Sequence, residues 1–274
     1  MGQSSPFIIN MINLAEVGAF PLIPSSGDLQ VRFGLYLPGI RARDGFEVVV
    51  KLIHRDDRFT PEIQTQNTSM KWQDGHPLDL WIATATINTV PGTNFGRVGV
   101  YLYRYQLLWN GQVVTLWFCD PFARMTDIGR LSAVPVFRGA TPFPWTDDGY
   151  KTPELDDLVV YELQVEEFND TFDGVVKRIP YLQSLGVNCL ELMPVMSAKT
   201  DFDWGYGPLH YFSPNARFGG PDGLKRLVNA CHSAGNRFSF IEQVILPCAT
   251  GIGVGEYVAR TPQRLSALND AAVA

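Results

Sequence analysis

This sequence predicts two kinds of sheet in one chain: an antiparallel β-sandwich, then a set of parallel strand–helix–strand units. Three observations predict them. Residues 29–118 fall into short runs rich in β-branched and aromatic residues, with turn formers between them. Residues 158–246 switch to nearly continuous apolar runs alternating with helical spacing. Between the two, Pro121, Pro135, Pro142, Pro144 and Pro153 interrupt any regular element.

Residues 1–28 read as a lead-in segment, because Pro21, Pro24, Ser25, Ser26 and Gly27 favour turns. The sandwich occupies residues 29–125, with strands expected at Leu29–Leu37, Phe46–His54, Leu78–Asn88, Arg97–Trp109 and Gln112–Phe118. Alternation is clear in Phe46–Leu52 and in Val98–Tyr105, and Asn110-Gly111 is a strong two-residue hairpin signal. Residues 126–157 read as a linker. From 158 to 250 the pattern predicts a strand at Leu158–Leu163, a helix at Phe172–Leu185 stopped by Gly186, and a strand at Val187–Val195. A helix at Asp222–Ala234 and a strand at Phe238–Leu246 follow. Continuous apolar strands linked by helices mean right-handed parallel units. Residues 251–274 form a tail that closes as a short helix, Pro262–Val273.

Composition narrows function. The formal charge of -6 argues against a nucleic-acid or anionic-membrane partner, since both need basic surface. The N-terminus lacks a basic stretch before an apolar core, and no run of 18 apolar residues occurs, so a cytoplasmic soluble protein is expected. Cys119, Cys189, Cys231 and Cys248 show no paired spacing; Cys189 and Cys231 read as small buried hydrophobes. His54, His76, His210 and His232 are scattered, so no metal site and no cofactor is expected. Trp81 reads as core, Trp72 as core or platform, and Trp109 and Trp117 flank a hairpin across which they could pair.

The stretch Trp204-Gly205-Tyr206-Gly207-Pro208-Leu209-His210-Tyr211-Phe212-Ser213-Pro214 concentrates aromatic residues between an apolar strand and a helix. Two readings of Trp204 and Tyr206 stand from spacing alone: packing over a small core, or a stacking surface for a ligand ring. Glu166-Glu167 reads as a solvated loop pair, since neighbours on extended chain point opposite ways. Asp201 and Asp203 read likewise as loop solvation.

Residues 156–235 resemble glycoside hydrolase family 13, the α-amylase superfamily, nearest its branching, debranching and trehalose-releasing members. The resemblance is carried by Val160-Tyr161-Glu162-Leu163, Thr171-Phe172-Asp173-Gly174-Val175, Glu191-Leu192-Met193-Pro194-Val195 and Trp204-Gly205-Tyr206. It continues through Tyr211-Phe212-Ser213-Pro214, Phe218-Gly219-Gly220-Pro221-Asp222-Gly223-Leu224-Lys225 and His232-Ser233-Ala234-Gly235. Each piece is weak alone; their order and spacing are specific. The sandwich resembles, more loosely, a carbohydrate-binding module of family 48 type, through Val31–Pro38 and Asp120-Pro121-Phe122-Ala123.

That resemblance implies a β-sandwich followed by a partial (β/α)8-type (TIM) barrel segment of about three βα units, with the site on the loops after the strands. It implies sugar contact by Tyr206, with Trp204 and Tyr211 shaping the loop, and an α-glucan polysaccharide or oligosaccharide as partner. The family usually has Asp after this Tyr, where Gly207 stands here. At the third strand the family's Asp-Val-Val-x-Asn-His motif is missing: Glu242 stands near the Asp, but Leu246 and Pro247 fall where Asn and His belong. The pattern breaks off at Asn236, as a change of reading frame would leave it. Too few residues follow Asp157 for eight units of roughly 30 residues each. No residues therefore map onto the nucleophile, the acid/base or the stabilising Asp, so no catalytic residue is named. The expectation is a glucan-binding relative of a 1,4-α-glucan branching or debranching enzyme that does not cleave. The alternatives are part of an active hydrolase or glucanotransferase completed by another chain or a longer product, and a protein-binding sandwich module. An open barrel edge predicts self-association or a partner chain.

Overall fold

A computed structural model of the protein describes residues 12–22, 27–60, 64–136, 142–151, 153–199, 204–234 and 239–242. The chain divides into two compact units, Met1–Ala140 and Thr141–Ala274.

The first unit holds β1 (Gly18–Leu22), β2 (Leu29–Tyr36), β3 (Phe46–His54), β4 (Thr65–Ser69), β5 (Lys71–Trp72), β6 (Leu80–Ile87), β7 (Gly99–Trp109), β8 (Gln112–Val113) and β9 (Ser132–Val136). They form two antiparallel sheets, ordered β1-β2-β6-β5 and β4-β3-β7-β8, with β9 also on β7. Alternation decides which side chains go inward. Val31, Phe33 and Leu35 of β2, Val48, Val50 and Leu52 of β3, and Tyr101, Tyr103 and Tyr105 of β7 are buried in one shared cluster with Trp81 of β6. Fully burying a side chain of this size is worth roughly 1.5–3 kcal/mol, so these faces fix the strand registers. Trp81 donates its indole N–H to the Ile40 carbonyl at 3.0 Å, satisfying its one polar atom.

The sequence reading differs from the structure at several strands. β1 falls in the segment read as lead-in; it pairs with β2 over its whole length. β9 falls in the segment read as linker. Pro135 conceals it, yet among the described residues Pro135 is paired on one side alone, opposite Val100 of β7, where the missing N–H is tolerated. Gln112–Phe118 is not one strand. After β8 the Val114 and Thr115 amides both donate to the Leu107 carbonyl, so two residues oppose one and the ladder breaks, resuming only at Tyr105–Phe118. Trp109 and Trp117 do not pair: Trp109 lies opposite Gln112, and the Lys51 ammonium stands 4.7 Å above the Trp117 ring.

The second unit is built on three parallel strands, β10 (Val160–Leu163), β11 (Cys189–Leu192) and β14 (Ser239–Glu242), in that spatial order. Between them run α1 (Val165–Asn169), α2 (Phe172–Ser184), the antiparallel pair β12 (Met196–Ala198) and β13 (Pro208–Pro214), and α3 (Gly220–Ser233). The Thr171 hydroxyl accepts the Gly174 amide at 3.1 Å and caps α2, with Asp173 in its first turn. Gly186 follows α2 with φ +79°, the left-handed stop expected of it. Phe172, Val175, Ile179 and Leu182 of α2 and Leu227 and Cys231 of α3 pack with Leu163, Leu190 and Leu192. Cys189 and Cys231 are fully buried, and burial pushes the Cys189 thiol up to about 11. Of Phe238–Leu246, the described part is β14; Leu246, Pro247, Cys248, Asp201, Asp203 and the tail helix lie outside the described residues.

Candidate functional site

Parallel strands deliver their following loops to one rim of the sheet, the rim on which sites of such folds are built. β10 delivers Gln164 and β11 delivers Met193-Pro194-Val195. The ladder does not stop cleanly: the Met193 amide still donates to the Leu163 carbonyl at 2.9 Å. β12 then pairs with β13 in a register broken twice, between Met196 and Ser197 and between Ser197 and Ala198. The Asn215 amide donates to the Val195 carbonyl at 2.8 Å, and the Lys199 amide to the Gly207 carbonyl at 2.9 Å. The aromatic-rich stretch read as a loop is thus, over Pro208–Pro214, the second strand of a hairpin. Its prolines and glycines conceal it in the sequence.

Between these elements lies a small depression, with room for about one water molecule, lined by Gln164, Glu166, Pro194, Met196, Ala198, Trp204, Gly205, Asn215 and Phe218. Trp204 has φ +51° and Gly205 φ +91°, so two consecutive residues lie in the left-handed region. For a tryptophan that conformation is strained, and it persists only where the surroundings fix it. The result is a large ring held 52% exposed.

Of the three residues the sequence singles out, Trp204 alone lines the depression. Tyr206 lies two residues on and is 43% exposed. Tyr211 sits in the middle of β13 and is partly buried.

The polar wall was not legible beforehand. Glu166 and Glu167 are not an extended loop pair but lie in α1, where the Gln164 side-chain oxygen accepts the Glu167 amide at 2.6 Å. Glu166 receives the Arg217 guanidinium at 3.1 Å, from 51 positions away. The Asn215 side-chain oxygen accepts the Arg217 amide at 3.0 Å. Only the fold brings these residues together; the acidic first turn of α1 was the one local sign.

Two more carboxylates are neighbours. Register places Glu162 of β10 beside Glu191 of β11. Both alternate with the leucines that pack on the helices, so they share the opposite face of the sheet. Among the described residues, no three His, Cys, Asp or Glu side chains gather as metal ligands.

Comparison with known proteins bears directly on this unit. Residues 148–246 match the family model described as alpha amylase, catalytic domain. The malto-oligosyltrehalose trehalohydrolase of Saccharolobus solfataricus is 38% identical over 95 residues, which are 34% of this chain and 17% of that protein. The 1,4-alpha-glucan branching enzyme GlgB 2 of Xanthomonas oryzae is 36% identical over 129 residues, 42% of this chain and 18% of that protein. The chain therefore spans under a fifth of the length of these curated relatives. Among solved structures, the pullulanase of Anoxybacillus sp. LM18-11 complexed with maltotriose superposes with a TM-score of 0.59 at 21% identity, over 84% of this chain and 34% of that one. The type I pullulanase of Bacillus subtilis complexed with maltose gives 0.58 at 21% identity, over 83% and 32%. At such identity the likeness shows the fold alone: this chain follows about a third of each of those pullulanase structures.

Proposed function

With residues 148–246 standing as part of an α-amylase catalytic domain, we propose that this chain binds α-glucan without cleaving it. Trp204, Tyr206 and Tyr211 are the contacts. The single observation that carries the reading is Trp204, held half-exposed in a strained turn at the strand rim, beside a depression. An aromatic face kept in water at a cost in backbone strain is suited to stacking on an apolar ring face.

Within the same reading, residues 29–125, together with β1 from the segment 1–28 and β9 from the segment 126–157, make a carbohydrate-binding-module-like sandwich. The remainder of 126–157 leads to a partial barrel at 158–250, with 251–274 as a tail. The shared core of the two antiparallel sheets supports the sandwich. A cytoplasmic location fits the acidic composition; among the described residues, no helix is long and apolar enough to cross a membrane.

Electrophoresis through a gel containing glycogen tests binding. Retarded migration, lost in Trp204→Ala and Tyr206→Ala, is expected; unaltered mobility of the wild type refutes the reading. A reducing-sugar assay on glycogen tests inertness, because retaining hydrolysis needs two carboxylates about 5–5.5 Å apart. Measurable release would refute it.

The short span against the relatives favours one second reading: a segment of a working glucan hydrolase or transferase completed by further polypeptide. Activity that appears only on adding a chain with the remaining strands would establish it.

A further inference from the structure

The depression beside Trp204 has a chemical composition that goes further than an aromatic surface. We propose that Glu166, Gln164 and Asn215, at the mouth of this depression, receive the hydroxyls of one neutral sugar ring stacked over it on the exposed Trp204. This rests on the glucan-binding reading and adds to it residues that recognise the hydroxyls.

Each polar group has part of its capacity committed to the protein and part remaining. Gln164 uses its side-chain oxygen on the Glu167 amide, which leaves an NH2 with two donors. Asn215 uses its side-chain oxygen on the Arg217 amide, which again leaves an NH2. Glu166 engages Arg217 through Oε1, and a carboxylate has a second oxygen that accepts. Local backbone bonds orient Gln164 and Asn215, and the Arg217 ion pair orients Glu166, so less side-chain freedom remains to be lost on binding.

The set fits one ligand class. A sugar hydroxyl both donates and accepts, so it needs a donor and an acceptor on the protein: the amide NH2 groups supply one and Glu166 the other. Met196, Pro194 and Trp204 supply the apolar surface that a pyranose presents its C–H face to. An anionic ligand would meet the Glu166 carboxylate. A cationic one would meet Arg217, which already offsets that charge.

The experiment measures maltotriose binding by calorimetry and saturation-transfer NMR on the whole chain. Glu166→Gln keeps shape but replaces the accepting oxygen; Gln164→Glu keeps the cap on Glu167 but removes the amide donors. Each is expected to weaken binding up to about tenfold, the scale of one hydrogen bond. Glu167→Gln, on the same helix and solvent-exposed, is expected to bind as the wild type does. Circular dichroism on all three confirms an unchanged fold. Wild-type affinity in both Glu166→Gln and Gln164→Glu overturns the subsite while leaving glucan binding through Trp204 intact. A wild type that binds neither maltotriose nor glycogen overturns the parent reading, and the subsite with it.

Discussion

Gly205 lies so close to Pro194 that a Cβ added to it would stand 2.3 Å from the Pro194 carbonyl oxygen. Its φ of +91° compounds the restriction. The two strand-following segments are thus locked together by backbone, and the turn that presents Trp204 is seated on the end of the β11 connection. Gly205→Ala must move that seat. It is expected to cost about 1–3 kcal/mol in backbone strain and to abolish retardation by glycogen. Thermal melting and the glycogen gel read the two effects separately. Normal glucan retention in a folded Gly205→Ala protein would show that the seat does not position the aromatic ring.

Asp79 supports a second prediction, in acid. It is buried, which alone would raise its pKa; the Gly39 amide at 2.8 Å, the Arg41 guanidinium at 2.9 Å and the Trp72 indole outweigh that and hold it below 3.8. A carboxylate depressed in the fold contributes stability above its unfolded value and loses it as pH falls through the folded one. Asp79→Asn is therefore expected to be less stable than wild type by roughly 2 kcal/mol near pH 7, the scale of hydrogen bonds to a charged group. The gap should close below pH 3.8. Urea unfolding at pH 7 and at pH 3 checks this; a gap of equal size at both would remove the carboxylate from the explanation.

How far the sequence speaks depends on whether the signal is local. Phe46–His54 is read to the residue, because strict alternation buries Val48, Val50, Leu52 and His54. The helix at Phe172 is read almost as well, because a cap, a 3.6 period and a terminal glycine agree. β12 and β13 escape because their pairing is irregular and bounded by Pro208 and Pro214. α1 escapes because five residues cannot show a period. For the site, Trp204 is legible as an aromatic in a glycine-rich stretch. Gln164, Glu166 and Asn215 are ordinary polar residues until the strands bring positions some fifty apart to one rim.

The tyrosine pair of β7 supports a third prediction, in alkali. Tyr103 and Tyr105 donate to one oxygen of the fully buried Asp120, at 2.8 and 3.3 Å. Burial, and then the Asp120 charge, hold both phenols well above their usual 10. Burial also pushes Tyr36 and Tyr101 up to about 12. Groups raised in the fold stabilise it fully below their unfolded value, and that stability is lost as pH rises beyond it. Unfolding is expected to begin above pH 10, with phenolate absorbance and loss of ellipticity rising together. Phenolate appearing at pH 10 with the fold intact would contradict the buried network.

A fourth prediction comes from the outer side of β10. Among the described residues β10 pairs with β11 and no strand lies on its other edge, and Val159 and Val160 are about half-exposed. Parallel sheets ordinarily have both faces covered and their edges closed or protected. The edge has no lysine in Val160–Leu163 to discourage a second strand. We expect association that grows with concentration, through this strand. Val160→Lys places a charge at the edge and should shift the protein toward monomer, while leaving the core untouched because Val160 packs in none of it. Size-exclusion chromatography with light scattering measures the change. A wild type that stays monomeric at high concentration would mean that this edge is already covered, and a Val160→Lys protein that associates as the wild type does would place the contact elsewhere.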